Sequence, residues 1–228
     1  MRYEEKRQMV EVMVYDAIDE IAEEIGLGIP FYPQVYHFGE KEDLKASRLP
    51  EIILNKCTER IKFNESFFWQ NLNSIFIFVD KEKVMGIGEE SAHFLRSLAP
   101  LYKSKKVDKE TLPKRTIDET LAFFSSKLRM PDRINNFEAY KDIVPMSPLQ
   151  VNMFLEQIKE SLPNLTKDEF FIYQQGYGLG DRLYYAYVQG QFSKKRIKDL
   201  FTNSFREEGS ALDKFWKLRK ELWPIEQR

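Results

Sequence analysis

Histidine is scarce in this chain, and one of its two histidines lies where it could do chemistry. If residues 84–98 form a helix, Glu89 and His93 stand at i and i+4, so their side chains project from the same side. Glu90 lies between them. An imidazole and carboxylates on one helix face are groups that bind a divalent metal ion and transfer protons. The alternative is a plain surface pair that adds slightly to helix stability.

The order of elements around this pair resembles that of the zincin metallopeptidases. In that family a strand and a tight turn lead into a helix with the pattern His-Glu-x-x-His, in which both histidines bind zinc and the glutamate activates water. Residues 89–93 here read Glu-Glu-Ser-Ala-His. The resemblance implies that Glu90 is the general base, that His93 is a zinc ligand, and that Glu89 takes the position of the first ligand. Later in the chain, residues 177–184 resemble the next helix of compact zincins, which implies Asp181 as the third ligand.

This resemblance covers residues 74–98 and, more loosely, residues 167–190. Its departure from the family pattern is the carboxylate of Glu89, which can bind zinc but lowers the Lewis acidity of the metal. We therefore expect a degenerate site with no zinc or weakly bound zinc, and a retained fold with lost catalysis. If the chain is an enzyme, the resemblance implies a metal-dependent peptidase or hydrolase. His37 could add a further metal ligand, or lie on the surface as an ordinary strand-end histidine.

A second hypothesis comes from the last predicted helix, which carries an apolar stripe. The stripe consists of Leu212, Phe215, Trp216, Leu218, Leu222 and Trp223. It either closes the domain or docks a partner, and tryptophan is enriched among residues that dominate binding energy. The competing function is therefore a non-enzymatic helical module that binds a protein or peptide partner, with a homodimer through the same stripe as a further alternative.

The elements that must position these residues begin with a small sheet and its helices. Apolar residues at helical spacing predict a helix over residues 9–25 that stops at Gly26. Aromatic and β-branched residues predict a strand over 31–38, and a short helix follows over 49–60. The apolar run at 74–80 predicts a strand with both faces covered. The zincin resemblance also requires this strand at the edge of the sheet, with the next helix packed against it.

The pattern of the rest of the chain predicts helices with recognisable N-terminal caps. Predicted caps are Thr116 with Glu119, Ser147 with Pro148, Thr166 with Glu169, Ser193, and Ser210 after a break at Gly209. The fold class is α+β and mostly helical, with a small sheet in the N-terminal third packed on the zincin-like helix. We expect one domain over 1–228, made of the sheet and its helices in 1–100 and a helical remainder in 101–228.

Glycines and tyrosines in the predicted helix around residues 167–190 raise two further possibilities. Gly176 and Gly180 share a helix face with Gly178 nearby, which favours close approach of a second helix over a phosphate-binding loop. The tyrosines could line a ligand groove or stack bases, but core and interface packing is the preferred interpretation. This set is Tyr173, Tyr177, Tyr184, Tyr185 and Tyr187.

Composition restricts the partners and the compartment. Lys and Arg number 35 against 36 Asp and Glu, for a net charge of -1, which argues against a general nucleic-acid-binding protein. No apolar run reaches the length of about 18 residues that a membrane span needs. The N-terminus is acidic where a signal peptide would be basic, and the single cysteine, Cys57, excludes an internal disulfide. We therefore expect a cytoplasmic protein without a nucleic-acid or membrane partner, in which Cys57 is a small apolar side chain on a helix.

Overall fold

A computed structural model of the chain describes residues 3–39, 41–61, 65–80, 83–84, 86–98, 112–131, 166–203 and 208–222. The chain divides into two compact units, Met1–Leu98 and Ala99–Arg228, and each is described by itself. This division falls within two residues of the predicted change from the sheet-containing part to the helical part. The expectation that both parts form one domain stays a prediction.

The first unit contains four strands and four α-helices within its described residues. The helices are α1 (Tyr3–Ile25), α2 (Lys41–Ala46), α3 (Glu51–Ile61) and α4 (Ile87–Ser97). The strands are β1 (Gln34–Phe38), β2 (Phe67–Trp69), β3 (Ser74–Asp80) and β4 (Lys83–Val84). The second unit adds helices alone, so the described part of the chain confirms the α+β class with the sheet in the N-terminal part.

Strand β3 is the centre of the sheet. It pairs in parallel with β1, with Tyr36 opposite Phe76, and antiparallel with β2, while its last residues pair with the two-residue β4. The prediction that residues 74–80 form an edge strand is therefore wrong. The physical reason is burial: side chains from Ser74 to Val79 are all buried, so this strand needs partners on both edges and cover on both faces.

Helices cover the two faces of the sheet. The apolar face of α1 packs on β1 and α4, and α4 packs in turn on β2 and β3. On the other face α3 contributes Ile53 and Cys57 to an aromatic cluster with β1, β2 and β3. Cys57 is fully buried, and burial raises the pKa of its thiol to about 12, so it packs as a small apolar side chain as predicted.

In the first unit β1 and α4 start later than predicted, and two short elements were not predicted. Strand β1 starts at Gln34 rather than at residue 31, because Pro33 has no N–H to donate to the ladder. Helix α4 starts at Ile87 rather than at 84, because Lys83 and Val84 pair with β3 and Gly86 adopts the left-handed region with φ 72°. Helix α2 and strand β2 are too short to give a clear periodic signal.

The second unit contains four α-helices in its described residues, and its caps test the sequence prediction. These are α5 (Leu112–Arg129), α6 (Lys167–Val188), α7 (Lys194–Asn203) and α8 (Glu208–Leu222). The capping box of Thr166 and Glu169 is confirmed at the start of α6, and Ser193 accepts a hydrogen bond from the third residue of α7. Thr116 is not a cap, because α5 already starts at Leu112. The second residue of this helix is Pro113, which the first turn of a helix tolerates.

The two remaining cap predictions have different outcomes. Helix α8 starts at Glu208, so Gly209 and Ser210 lie inside it and the predicted break is wrong by two residues. The predicted cap at Ser147 lies outside the described residues.

Helices α5 and α6 run parallel and approach closely at two glycines. A Cβ atom on Gly176 would lie 2.6 Å from the Cβ of Glu119, and one on Gly180 would lie 2.6 Å from the carbonyl oxygen of Thr120. Contacts advance along both helices in the same direction, since Phe124 lies against Tyr187 and Lys127 against Asp181 further along. The predicted role of these glycines in helix packing is confirmed.

Candidate functional site

Helix α4 positions the residues that the zincin resemblance singles out. Ser91, Phe94 and Leu95 are buried on the side that packs on α1 and the sheet. Glu89 and His93 lie on another side of the helix and are half-buried.

Glu90 is buried, with 8% of its surface exposed. Its backbone N–H donates to the carbonyl oxygen of Gly86 at 2.9 Å, and its carboxylate oxygen Oε1 comes within 3.8 Å of where a Cβ on Gly86 would lie. Ser66 approaches the same glycine and accepts a hydrogen bond from the N–H of Phe78. The Glu90 carboxylate thus lies at the first turn of α4, where the helix dipole favours a negative charge.

The predicted third ligand, Asp181, belongs to the second unit and has a different neighbour. Its Oδ1 atom lies 3.0 Å from Nζ of Lys127, although the two atoms are not aligned for a hydrogen bond. The Lys127 side chain is 5% exposed and that of Asp181 is 15% exposed. Lys127 also donates to the carbonyl oxygen of Pro131 at 3.2 Å and lies 5.4 Å from the ring centroid of Tyr185. The carboxylate of Asp181 therefore balances a buried ammonium group.

No group of three or more His, Cys, Asp or Glu side chains is arranged to hold a metal ion in the part of the chain that the structure describes. Glu89 and His93 are in the first unit and Asp181 is in the second. The metal-ligand roles of these three residues and the base role of Glu90 stay predictions.

His37 is buried, so the alternative that it lies on the surface is wrong, and its possible role as a further metal ligand stays a prediction. Its Nε2 lies 3.1 Å from the carbonyl oxygen of Tyr3, and its Nδ1 lies 3.4 Å from Oδ2 of Asp43. Asp43 also pairs with Lys6 at 3.2 Å. The strand alternation of β1 was the available signal, because it places His37 on the same face as Val35, toward α1.

The ionisation of His37 follows from this environment. Burial lowers the pKa of His37, and the two oxygens facing the ring oppose that shift only in part. The carbonyl oxygen of Tyr3 and the carboxylate of Asp43 both accept hydrogen bonds, and the neutral ring has one N–H, so it can donate to only one of them. This cluster ties the start of α1 to β1 and α2.

A second buried cluster in the second unit was also missed from the sequence. Nε of Arg219 on α8 donates to Oε1 of Gln175 at 3.1 Å, and Nε2 of Gln175 donates to Oε1 of Gln174 at 3.3 Å. Burial lowers the pKa of the Arg219 guanidinium. The consecutive glutamines inside a helix that otherwise buries apolar residues were the available signal.

The predicted stripe of the last helix divides between the interior and the surface. Phe215, Leu218 and Leu222 are buried, and Phe215 packs near Phe171 of α6. Trp216 is 50% exposed, with the guanidinium carbon of Arg219 5.1 Å from its ring centroid. Trp223 lies outside the described residues.

Among the described residues, no helix has the length and apolar character needed to cross a lipid bilayer. Comparison of the chain with protein-family models, with curated proteins and with solved structures finds no match in any of the three.

Proposed function

We propose that this chain is a binding module for a protein partner, and that the exposed face of α8 takes an acidic segment of that partner. The observation that carries this proposal is Trp216, which leaves half of its surface in solvent while Phe215 and Leu218 on the same helix are buried. A half-exposed tryptophan leaves on the order of 100 Å² of mostly apolar area available to a partner. Tryptophan is also among the residues that most often dominate binding energy.

The charges around Trp216 support an acidic partner. Lys217 and Lys220 are exposed beside it, and neither makes an ion pair with any described residue. Asp213 is exposed one turn earlier, and the more distant Glu221 is paired with Arg196. Unpaired cations around an apolar anchor complement a segment that carries both acidic and apolar side chains.

A displayed library of random peptides tests the proposal and does not require the partner to be identified first. We expect the chain to enrich peptides that combine acidic and apolar residues, and Trp216→Ala to lose that enrichment. Tyr185→Ala is the matched control, because Tyr185 is 48% exposed but lies on α6. Enrichment that is the same in the Trp216 variant, or peptides without an acidic bias, would contradict the proposal.

A second copy of the chain is the other partner that this surface could take. Light scattering at several concentrations separates the two cases. Self-association that disappears in Trp216→Ala would replace the acidic-segment proposal with a homodimer through α8.

A degenerate metallopeptidase-type protein is the second candidate function. It is supported by the strand–turn–helix order, by the packing of α4 on β3, and by the half-buried positions of Glu89 and His93 on one side of α4. The central position of β3 counts against it. A ligand set of one imidazole with carboxylates is also richer in oxygen than most zinc sites.

Metal content of protein purified without chelator tests this candidate. We expect less than one equivalent of zinc, lost completely in His93→Ala with the fold intact. A full equivalent that survives dialysis and disappears in His93→Ala would show an intact zinc site. Zinc that persists in the variant would place the metal elsewhere.

A further inference from the structure

Arg219 is a buried cation without a balancing anion in the described part of the second unit. It is 9% exposed, and its contacts there are the hydrogen bond from Nε to Gln175 and the ring of Trp216. The amide oxygen of Gln175 is a neutral acceptor. Most of the N–H donors on the guanidinium, those of its terminal nitrogens, therefore have no acceptor among the described residues.

The hydrogen bonds next to Arg219 run in one direction. Because Oε1 of Gln175 accepts from Arg219, Nε2 of Gln175 faces away and donates to Oε1 of Gln174. The next donor in the series is Nε2 of Gln174. This atom is buried and has no hydrogen-bond partner, and the Gln174 side chain is only 3% exposed. Rotating the Gln175 amide would set a donor against the Arg219 donor, so the chain of bonds ends in a donor that needs an acceptor.

Lys127, another buried cation among the described residues of this unit, has the counter-charge that Arg219 lacks. Lys127 has the carboxylate of Asp181 at 3.0 Å and a backbone carbonyl oxygen at 3.2 Å. Arg219 has no carboxylate in a comparable position within the described ranges. A guanidinium that is largely withdrawn from solvent and has no counter-charge is costly, so an anion with several acceptor oxygens would suit this cluster.

We propose that the second unit binds a small oxyanion, a carboxylate or a phosphate, at the terminal nitrogens of Arg219. The planar fork of a guanidinium matches two oxygens of either group, and the Gln175–Gln174 amides fix its orientation. Trp216 lies over the guanidinium and is half-exposed, which gives the anion a route from solvent. This site borders the partner surface, because both include Trp216, but the proposal does not depend on a partner being bound.

Thermal unfolding in low-salt buffer tests the site with two probes, inorganic phosphate and acetate, against sodium chloride at matched ionic strength. We expect at least one probe to raise the midpoint in a saturable way. At a probe concentration ten times its Kd, the ratio of folded to unfolded protein should rise about elevenfold over chloride. A response to acetate assigns a carboxylate, and a response to phosphate alone assigns a phosphate. A wild-type midpoint that neither probe raises would overturn the proposal.

Two variants complete the test. Arg219→Met removes the unbalanced charge, so its midpoint in chloride should equal or exceed that of the wild type, and it should not respond to either probe. Lys195→Gln removes an exposed positive charge from α7 and should respond like the wild type. Loss of folding in Arg219→Met would show that Arg219 is already balanced within the chain. Equal responses in Arg219→Met and wild type would show that the anion binds elsewhere, and either result would overturn the proposal.

Discussion

The two units differ in the kinds of side chain that they bury. In the first unit β3 buries phenylalanine side chains against α3 on one face and aliphatic side chains toward α1 and α4 on the other. The first unit also buries a few polar side chains, among them His37 and Asp43, but polar groups make up a larger share of the described interior in the second unit. Those of the second unit are Thr116, Thr120, Ser125, Ser126, Lys127, Gln174, Gln175 and Arg219.

This difference suggests different roles: the apolar interior of the first unit provides a scaffold, and the polar interior of the second unit can also take part in recognition. Truncating a buried apolar side chain is destabilising, but an apolar core offers no hydrogen bonds or charges that could recognise a ligand. Buried polar groups cost free energy unless they are paired, so they persist where they specify a structure or bind a ligand. The Lys127–Asp181 pair fits the first role, and the incomplete cluster at Arg219 fits the second.

The largest expected effect is in the core of the first unit. Phe76 is fully buried and stacks on both Phe67 and Tyr36. Phe76→Ala should lower the free energy of unfolding by about 4 kcal/mol, because it removes apolar contacts and leaves a cavity. Denaturant unfolding measures this value. Ile52→Ala, at a site that is 70% exposed, is the control and should change it by less than about 0.5 kcal/mol.

Breaking the ion pair of the second unit should have the next largest effect. Asp181→Ala leaves the Lys127 ammonium buried without its carboxylate and should cost about 3 kcal/mol in the free energy of unfolding. The double variant Lys127→Met with Asp181→Ala should recover most of that loss. If the double variant is as unstable as Asp181→Ala alone, the pair does not act by balancing charge.

A smaller loss is expected at the helix contact. The Cβ of Gly180→Ala would lie 2.6 Å from the carbonyl oxygen of Thr120, so α5 and α6 must move apart. We expect a loss of about 2 kcal/mol, which outweighs the better helix propensity of alanine. Gly28→Ala is the control, because no atom lies within 4 Å of its added Cβ. Equal unfolding midpoints for the two variants would contradict the close approach.

The smallest expected effect is a dependence on pH at His37. Burial lowers its pKa in the folded state, so the unfolded chain, with a pKa of about 6.5, binds the proton first. The stabilising contribution is complete above that pH and is lost progressively as pH falls below it. Lys6, Asp43 and the carbonyl oxygen of Tyr3 are the groups that face the ring. In a pH series of unfolding free energies, His37→Gln should flatten this slope, and an unchanged slope would assign it to other groups.

Periodicity predicted much of the scaffold and the caps predicted part of it, because both are local properties. The burial of β3, the helix that ends at Ile25 and the capping box of Thr166 follow from residues within a few positions of one another. The central place of β3 in the sheet does not follow from neighbouring residues, since its pairing with β1 joins residues about 40 positions apart. The apolar run in β3 indicates burial on both faces but does not state how many strands lie beside it.

The candidate sites were less predictable for the same reason. Glu89 and His93 share a helix face because helical spacing requires it. The contacts of His37 with Asp43, of Lys127 with Asp181 and of Arg219 with Gln175 form between elements. A single sequence shows the residue types but not these partners.

The affinity of a selected acidic peptide for three forms of the chain tests the central claim most directly. Calorimetric titration should show that Trp216→Ala weakens binding by about 2 kcal/mol, the level expected of a residue that dominates an interface. Tyr185→Ala should bind like the wild type, because its exposed ring lies on α6 rather than on α8. Equal affinities for the wild type and Trp216→Ala, or equal losses in both variants, would contradict recognition through α8.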